Sequence, residues 1–193
     1  MPHTIRRGHR SPEAADAVET TPHDLRRVSL SDGTPVRLRW LVGADRDVLK
    51  DMYGAWSKTS RRARFLAAPP HLTEDTLDHL VDDVDQVNHV AIVLLAPAGH
   101  TDETPVGVGR MIRYADDPEA ADIALGVADA WQGRGVGSIL ARALVQHRPV
   151  GVTRLVTVVA MDNEASLAIL AGLGTVDRVP ADGVYEVTVT LTI

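Results

Sequence analysis

The chain has 193 residues, of which 45% are hydrophobic, and a formal net charge of −6, a profile typical of one soluble globular domain with a sizeable core. This acidic balance argues against partners such as nucleic acid or an anionic membrane, because phosphate-rich partners select basic surfaces. The absence of cysteine excludes disulfides, thiolate metal sites and an acyl-cysteine intermediate.

The first part of the chain divides into a polar leader and an ordered domain. Residues 1–27 are rich in Arg, His, Pro, Glu and Thr, and we interpret them as a flexible leader that lacks a signal peptide. Alternation over residues 36–41 predicts the first strand of a single domain that spans 28–193. Helices are predicted at residues 48–56 and 60–66, and after an N-cap at Thr73, where a helix would bury Leu77, Leu80 and Val81.

The second part of the chain alternates between strands and helices. Apolar, β-branched runs predict strands at residues 89–96, 106–114, 121–128 and 155–160, the last of them apolar on both faces and therefore central. One helix is predicted from the glycine-rich segment to about His147, and another over 163–173. Gly174 would be the C-cap of this second helix. A final strand would turn Val187, Val189, Leu191 and Ile193 inward. This order predicts an α/β fold with one mixed sheet of six to seven strands and helices on both faces.

The most informative segment is Trp131-Gln132-Gly133-Arg134-Gly135-Val136-Gly137-Ser138, which lies between a predicted strand and a predicted amphipathic helix. Its three glycines allow a ligand to approach the backbone closely. The helix that follows directs unpaired N–H groups and the positive end of its dipole at the same place. The segment therefore predicts a phosphate-binding turn.

Two common phosphate-binding motifs fit this segment poorly. A nucleotide P-loop needs a lysine after its last glycine, and Lys50 and Lys58 are the only lysines in the chain. The dinucleotide fingerprint needs Gly-x-Gly-x-x-Gly, whereas the glycines here are spaced Gly-x-Gly-x-Gly. Asp162, at the end of the next strand, keeps a dinucleotide-binding protein open as an alternative.

The run Gln132-Gly133-Arg134-Gly135-Val136-Gly137 resembles the acetyl-CoA signature of the GNAT superfamily of N-acetyltransferases, Gln/Arg-x-x-Gly-x-Gly/Ala. The predicted order of elements is similar to the GNAT layout from about residue 34 onward. Ser60-Arg61-Arg62-Ala63-Arg64-Phe65 and the Pro-Pro-His-Leu run at 69–72 resemble the Pat-type bacterial protein lysine acetyltransferases. Arg61, Arg62 and Arg64 are open to two interpretations. They would either contact the substrate or the coenzyme, or form a solvated helix face.

The resemblance implies a coenzyme A site. The N–H groups of residues 132–137, followed by Ser138, would hold the pyrophosphate, with the Arg134 side chain free to add charge. The strand edge at Leu125, Gly126 and Val127 would pair with the pantetheine amides, and Asn163 would contact the cofactor or cap the next helix. In the family this strand is bulged and splayed from its neighbour. Gly126 suits such a bulge, or packs against a bulky neighbour instead.

The resemblance also implies a catalytic role for Asp122. Family members carry a glutamate at this place as the general base, and the shorter aspartate would act through a water molecule. Leu170 stands where many members have a tyrosine acid, which leaves the general acid unassigned.

These observations predict acetyl transfer from acetyl-CoA to a primary amine, on a protein lysine or a small molecule, within a ternary complex in the cytoplasm. A non-catalytic acyl-CoA-binding regulatory module is the alternative. The eight histidines lack ligand spacing, so no metal is expected. Monomer and homodimer both stay open, with the alternating C-terminal strand as a possible dimer edge.

Overall fold

The computed structural model describes residues 23–66, 69–99 and 102–192, and these form one eight-stranded mixed sheet in the order β1-β2-β3-β4-β5-β6-β8-β7. The strands are β1 Asp24–Ser29, β2 Pro35–Trp40, β3 His89–Pro97, β4 Glu103–Arg113, β5 Ala120–Val127, β6 Arg154–Ala160, β7 Gly174–Ala181 and β8 Val184–Leu191. The helices are α1 Arg46–Ala55, α2 Lys58–Phe65, α3 Glu74–Leu77, α4 Val136–Gln146 and α5 Glu164–Ala171. No helix in the described ranges is long and apolar enough to cross a membrane.

Helices cover both faces of the sheet, as predicted. On β3, Val90, Ile92 and Leu94 pack towards the α4 side, and the alternate residues Ala91 and Val93 pack towards α1 and α3. This strand is buried on both faces because its period-2 alternation places apolar groups in each layer. Thr73 caps α3 as predicted, its hydroxyl accepting from the N–H of Thr76, and the helix continues as a π-helical turn over Asp78–Asp82.

The sheet has more strands than predicted because pairing creates β1 and β7 where the sequence pattern is weak. Residues 24–27, assigned to the leader, lie in β1, where Val28 pairs with Val36 of β2. The ion pair between Arg37 and Asp24 joins the same two strands. Polar residues thus stabilise an edge strand that apolar periodicity cannot reveal. Residues 1–22 of the expected leader lie outside the described residues.

The end of the chain departs from prediction at Gly174, which is not a C-cap. Gly172 caps α5, and Gly174 begins β7, where a Cβ would lie 2.0 Å from the carbonyl oxygen of Thr190 in β8. Val187, Val189 and Leu191 are buried as predicted, and Ile193 lies outside the described residues. Since β8 lies between β6 and β7, both of its edges are paired and it is not available as a dimer edge.

The neighbouring parallel strands β5 and β6 separate soon after they meet. They pair only at Ala120 with Arg154 and at Ala121 with Leu155, so no ladder joins the rest of their facing edges. The splay expected from the resemblance is confirmed. One consequence was not expected: Val158, in a strand predicted to be covered on both faces, is 46% exposed because it faces this gap.

Gly126 serves close packing and not a bulge. β5 pairs with β4 in unbroken register from Ala121 to Val127, so the expected bulge in β5 is wrong. A Cβ on Gly126 would lie 2.1 Å from the indole of Trp56, which is buried at the end of α1. The glycine lets the indole of Trp56 pack directly on the strand backbone.

We predict that Gly126→Ala lowers the free energy of unfolding by about 1–3 kcal/mol, the usual cost of overpacking a buried contact. Urea unfolding measures the change, and the additional substitution Trp56→Phe should restore part of the loss. Gly54→Ala is the matched control, because a Cβ there meets nothing within 4 Å and alanine favours the helix. Equal stability of Gly126→Ala and the parent chain would contradict this packing explanation.

Candidate active site

The gap between β5 and β6 opens into two adjoining cavities. The first, of about 590 Å³, lies against residues 131–138 and the start of α4, and we name it the turn cavity. The second, of about 390 Å³, contains Asp122, Tyr114 and Thr157, and we name it the acid cavity. Six residues line both: Ala63, Arg64, Leu125, Asn163, Ser166 and Ile169. The two cavities therefore meet between β5, α2 and α5.

The glycine turn presents bare backbone to the turn cavity. Gly133 and Gly135 have φ values of +72° and +89°, and a Cβ on either would meet no protein atom within 4 Å. Gly135 is the N-cap of α4 and offers no side chain to its first-turn N–H groups. Val136, Gly137 and Ser138 line the cavity with that turn. This arrangement fits an anion such as a pyrophosphate.

The Arg134 side chain is not free to add charge to that anion, which corrects the expectation. Its guanidinium Nη2 lies 2.6 Å from Asp32 Oδ2 and 2.9 Å from the Thr34 hydroxyl, and it stacks on the ring of Trp131. Hydrogen bonds from Thr34, and then from Arg134, lower the pKa of Asp32 to about 2. The side chain thus fastens the turn to the β1–β2 loop, outside the cavity lining.

Gln132 and Asp129 connect the same turn to α2. Gln132 Nε2 donates to the Ser60 hydroxyl at 2.9 Å and to the Val127 carbonyl at 3.2 Å. Asp129 accepts from the Ser57 N–H at 2.8 Å and from the Ser60 hydroxyl. Because α2 forms one wall of the turn cavity, these bonds set the width of the cavity.

The edge of β5 beyond its pairing with β6 lies along the turn cavity. Leu125, Gly126 and Val127 line the turn cavity, on the side where β5 no longer pairs with β6. Asn163 lines both cavities, and its Oδ1 accepts from the N–H of Ser166 as the N-cap of α5. The capping interpretation of Asn163 therefore holds at a position that also faces the cavities.

Asp122 lies in the acid cavity, on the stretch of β5 beyond its pairing with β6. Burial raises the pKa of its carboxyl, although the neighbouring Thr157 hydroxyl and the charge of Arg64 act in the opposite direction. A carboxylate with a raised pKa is a better proton acceptor at neutral pH. Leu170 lines the same cavity and has no proton to give.

Tyr114 and Thr157 are site residues that sequence reasoning missed. Tyr114 follows β4, and its hydroxyl donates to the Val156 carbonyl at 3.1 Å. Thr157 lies on β6 and donates to the Ile123 carbonyl at 3.3 Å. No motif marks either residue, and only the register of β4, β5 and β6 brings them to Asp122.

The arginines of α2 have different surroundings. Arg61 donates to the carbonyls of Pro70 and Gly54 at 2.7 and 2.8 Å, so its role is structural. Arg62 is exposed and lines the turn cavity. Arg64 lines both cavities. Only the last two face the space in which a ligand would lie.

Comparison with known proteins gives a consistent result. Residues 36–176 match the family model of an acetyltransferase (GNAT) domain. Acetyltransferase PA5475 of Pseudomonas aeruginosa is 28% identical over 160 residues, which are 82% of this chain and 84% of that protein. The GNAT domain of S. lividans PAT superposes with a TM-score of 0.75 at 27% identity, over 86% of this chain and 96% of that one.

A more distant structure shares the fold and contains the expected cofactor. YncA from Salmonella typhimurium, solved with acetyl-CoA, has a TM-score of 0.64 and 18% identity, over 81% of this chain and 94% of that one. At this identity the likeness concerns the fold alone.

We predict that Gly135→Ala weakens coenzyme A binding at least about tenfold, since a left-handed backbone costs a Cβ-bearing residue about 1–2 kcal/mol and the turn that lines the cavity would shift to relieve this strain. Isothermal titration calorimetry measures the dissociation constant. Gly151→Ala is the matched control, because Gly151 has a φ of +91° and equally open surroundings but lies away from both cavities. Equal loss of affinity in both variants would refute a specific role for the turn.

Proposed function

Because the chain belongs to the GNAT family of acetyltransferases, we propose that it transfers an acetyl group from acetyl-CoA to a primary amine directly, within a ternary complex. The observation that carries the proposal is the meeting of two cavities at the gap between β5 and β6. The turn cavity lies at the start of α4, where Gly135 offers no side chain to the first N–H groups, and the acid cavity contains the half-buried carboxylate of Asp122. Donor and acceptor can enter separately and react where the cavities join.

The donor would lie in the turn cavity. Backbone N–H groups of residues 132–137, with Ser138 beside them, would hold the pyrophosphate, and the edge at Leu125–Val127 would pair with amides as an added strand does. Asn163 would contact the donor where the cavities meet. When bound, acetyl-CoA supplies an activated acetyl thioester, whose carbonyl a backbone N–H of β5 would polarise.

Asp122 would act on the acceptor in the acid cavity. An alkylammonium, with a pKa of about 10.4, must lose a proton before it can attack. Three residues of strand, roughly 10 Å, separate Asp122 from Leu125, so a water molecule would relay the proton. The nitrogen then bonds to the acetyl carbon, the carbon–sulfur bond breaks, and the sulfur leaves as thiolate. The ammonium proton passes through Asp122 to solvent before the attack, and the acylated nitrogen gives up its second proton to water as the amide forms. We place the reaction in the cytoplasm.

The proposal is tested by following free thiol released from acetyl-CoA over a panel of amines that includes lysine peptides, polyamines and amino acids. We expect amine-dependent thiol release with a matching acetylated product. Calorimetric titration with coenzyme A and with NAD accompanies the assay. Coenzyme A binding without turnover of any amine would favour a regulatory module, and tight NAD binding would overturn the proposal.

We predict that Asp122→Asn lowers kcat about 10²–10⁴-fold, the usual contribution of a general base, and leaves coenzyme A affinity largely intact. The base works only when deprotonated, so the parent's kcat/KM should rise with pH through the raised pKa of Asp122, and the variant should lack that rise. Asp116→Asn, in an exposed loop nearby, is the charge-matched control. An unchanged pH profile in Asp122→Asn would remove Asp122 from the mechanism.

A further inference from the structure

Arg64 is a cation placed where the two cavities join. It lies in the last turn of α2, is half-buried, and lines both cavities. Its guanidinium stacks on the ring of Phe65, 4.6 Å from the ring centre. Within the described ranges, no carboxylate comes within ion-pairing distance of Arg64.

Arg62, which lines the turn cavity, is exposed to solvent, whereas Arg61, Arg134 and Arg110 have partners in the protein. Arg61 donates to two backbone carbonyls, and Arg134 pairs with Asp32. Arg110 of β4 is buried and contacts the Leu80 carbonyl at 3.1 Å and His89 Nε2 at 3.2 Å. A guanidinium that faces a cavity without such a partner keeps its N–H donors for the carboxylate of a ligand.

Arg64 and Asp122 face the same space without forming an ion pair. Both line the acid cavity, and each influences the pKa of the other through its charge. Burial lowers the pKa of Arg64 to about 10, which leaves the side chain charged at neutral pH. Two opposite charges close to each other but out of contact are complementary to a zwitterion.

We propose that Arg64 binds a carboxylate on the carbon that bears the acceptor amine, so that the acceptor is an α-amino acid. This inference rests on the proposed function. The reacting nitrogen has to reach the junction of the cavities, so an anion that meets Arg64 there must be separated from that nitrogen by very few bonds. The terminal amine of a lysine side chain, like a simple alkylammonium, carries no such anion and would leave the charge of Arg64 without a counterpart.

The rim of the acid cavity indicates the side chain of this amino acid. Leu66, Tyr114 and Val158 are exposed large side chains that line the cavity, and Ile112, also exposed, pairs with Asp122 across the sheet. Apolar groups gathered at the mouth of a cavity favour an apolar or aromatic occupant. The acceptor is therefore an amino acid with an apolar side chain.

The experiment compares L-phenylalanine with 2-phenylethylamine, which lacks only the carboxylate, and with L-phenylalaninamide, whose amine loses its proton more easily. We expect the parent enzyme to favour L-phenylalanine by about 10–100-fold in kcat/KM, the range for a hydrogen bond to a charged group. In Arg64→Gln, the ratio of kcat/KM for L-phenylalanine to that for each of the other two amines should fall close to one. The main cause should be slower acetylation of L-phenylalanine. Arg64→Lys should keep part of the preference.

Lys58→Gln removes a charge from the same helix outside both cavities and should leave the ratios unchanged. Calorimetric titration of L-phenylalanine into each protein, saturated with coenzyme A, should show weaker binding to Arg64→Gln than to the parent. Equal kcat/KM for the three amines, or unchanged ratios in Arg64→Gln, would overturn this inference and leave amine acetylation intact. If no amine of the wider panel releases thiol, the proposed function itself fails.

Discussion

The separation of β5 from β6 after two residue pairs is the constraint on which both cavities depend. A longer parallel pair would add ladder hydrogen bonds, each worth about 0.5–1.5 kcal/mol net. The sheet tolerates their absence because β5 remains fully paired with β4, and β6 with β8. The backbone groups at this gap that no side chain occupies are then available to a ligand that contains amides.

Polar side chains connect the glycine turn beside this gap to the β1–β2 loop and to α2. Arg134 reaches the β1–β2 loop through Asp32, and Gln132 reaches α2 through Ser60. These contacts use side chains and leave the helix start of α4 facing the cavity. A site fixed before its ligand arrives loses less entropy on binding.

The sequence was sufficient for features that depend on local pattern, and insufficient for those that depend on long-range pairing. The glycine turn and the cap at Thr73 follow from residue types at short spacing, and both are present. The partner of Arg134 is 102 residues away in the chain, so no local pattern reveals it. The packing of Trp56 on Gly126 likewise depends on how α1 crosses the sheet. The residues of the acid cavity come together only through the register of β4, β5 and β6, which also explains why Tyr114 was not predicted.

Among the described residues, β1 and β7 are the edge strands of the sheet, and they bear on the behaviour of the protein at high concentration. β1 carries the exposed Arg26 and Arg27, and β7 carries Asp177, Arg178 and Pro180, all exposed. Charges repel a like strand, and a proline offers no N–H to it, so neither edge favours the addition of strands from other molecules. Growth of fibrils from the native state is thereby opposed at both ends of the sheet.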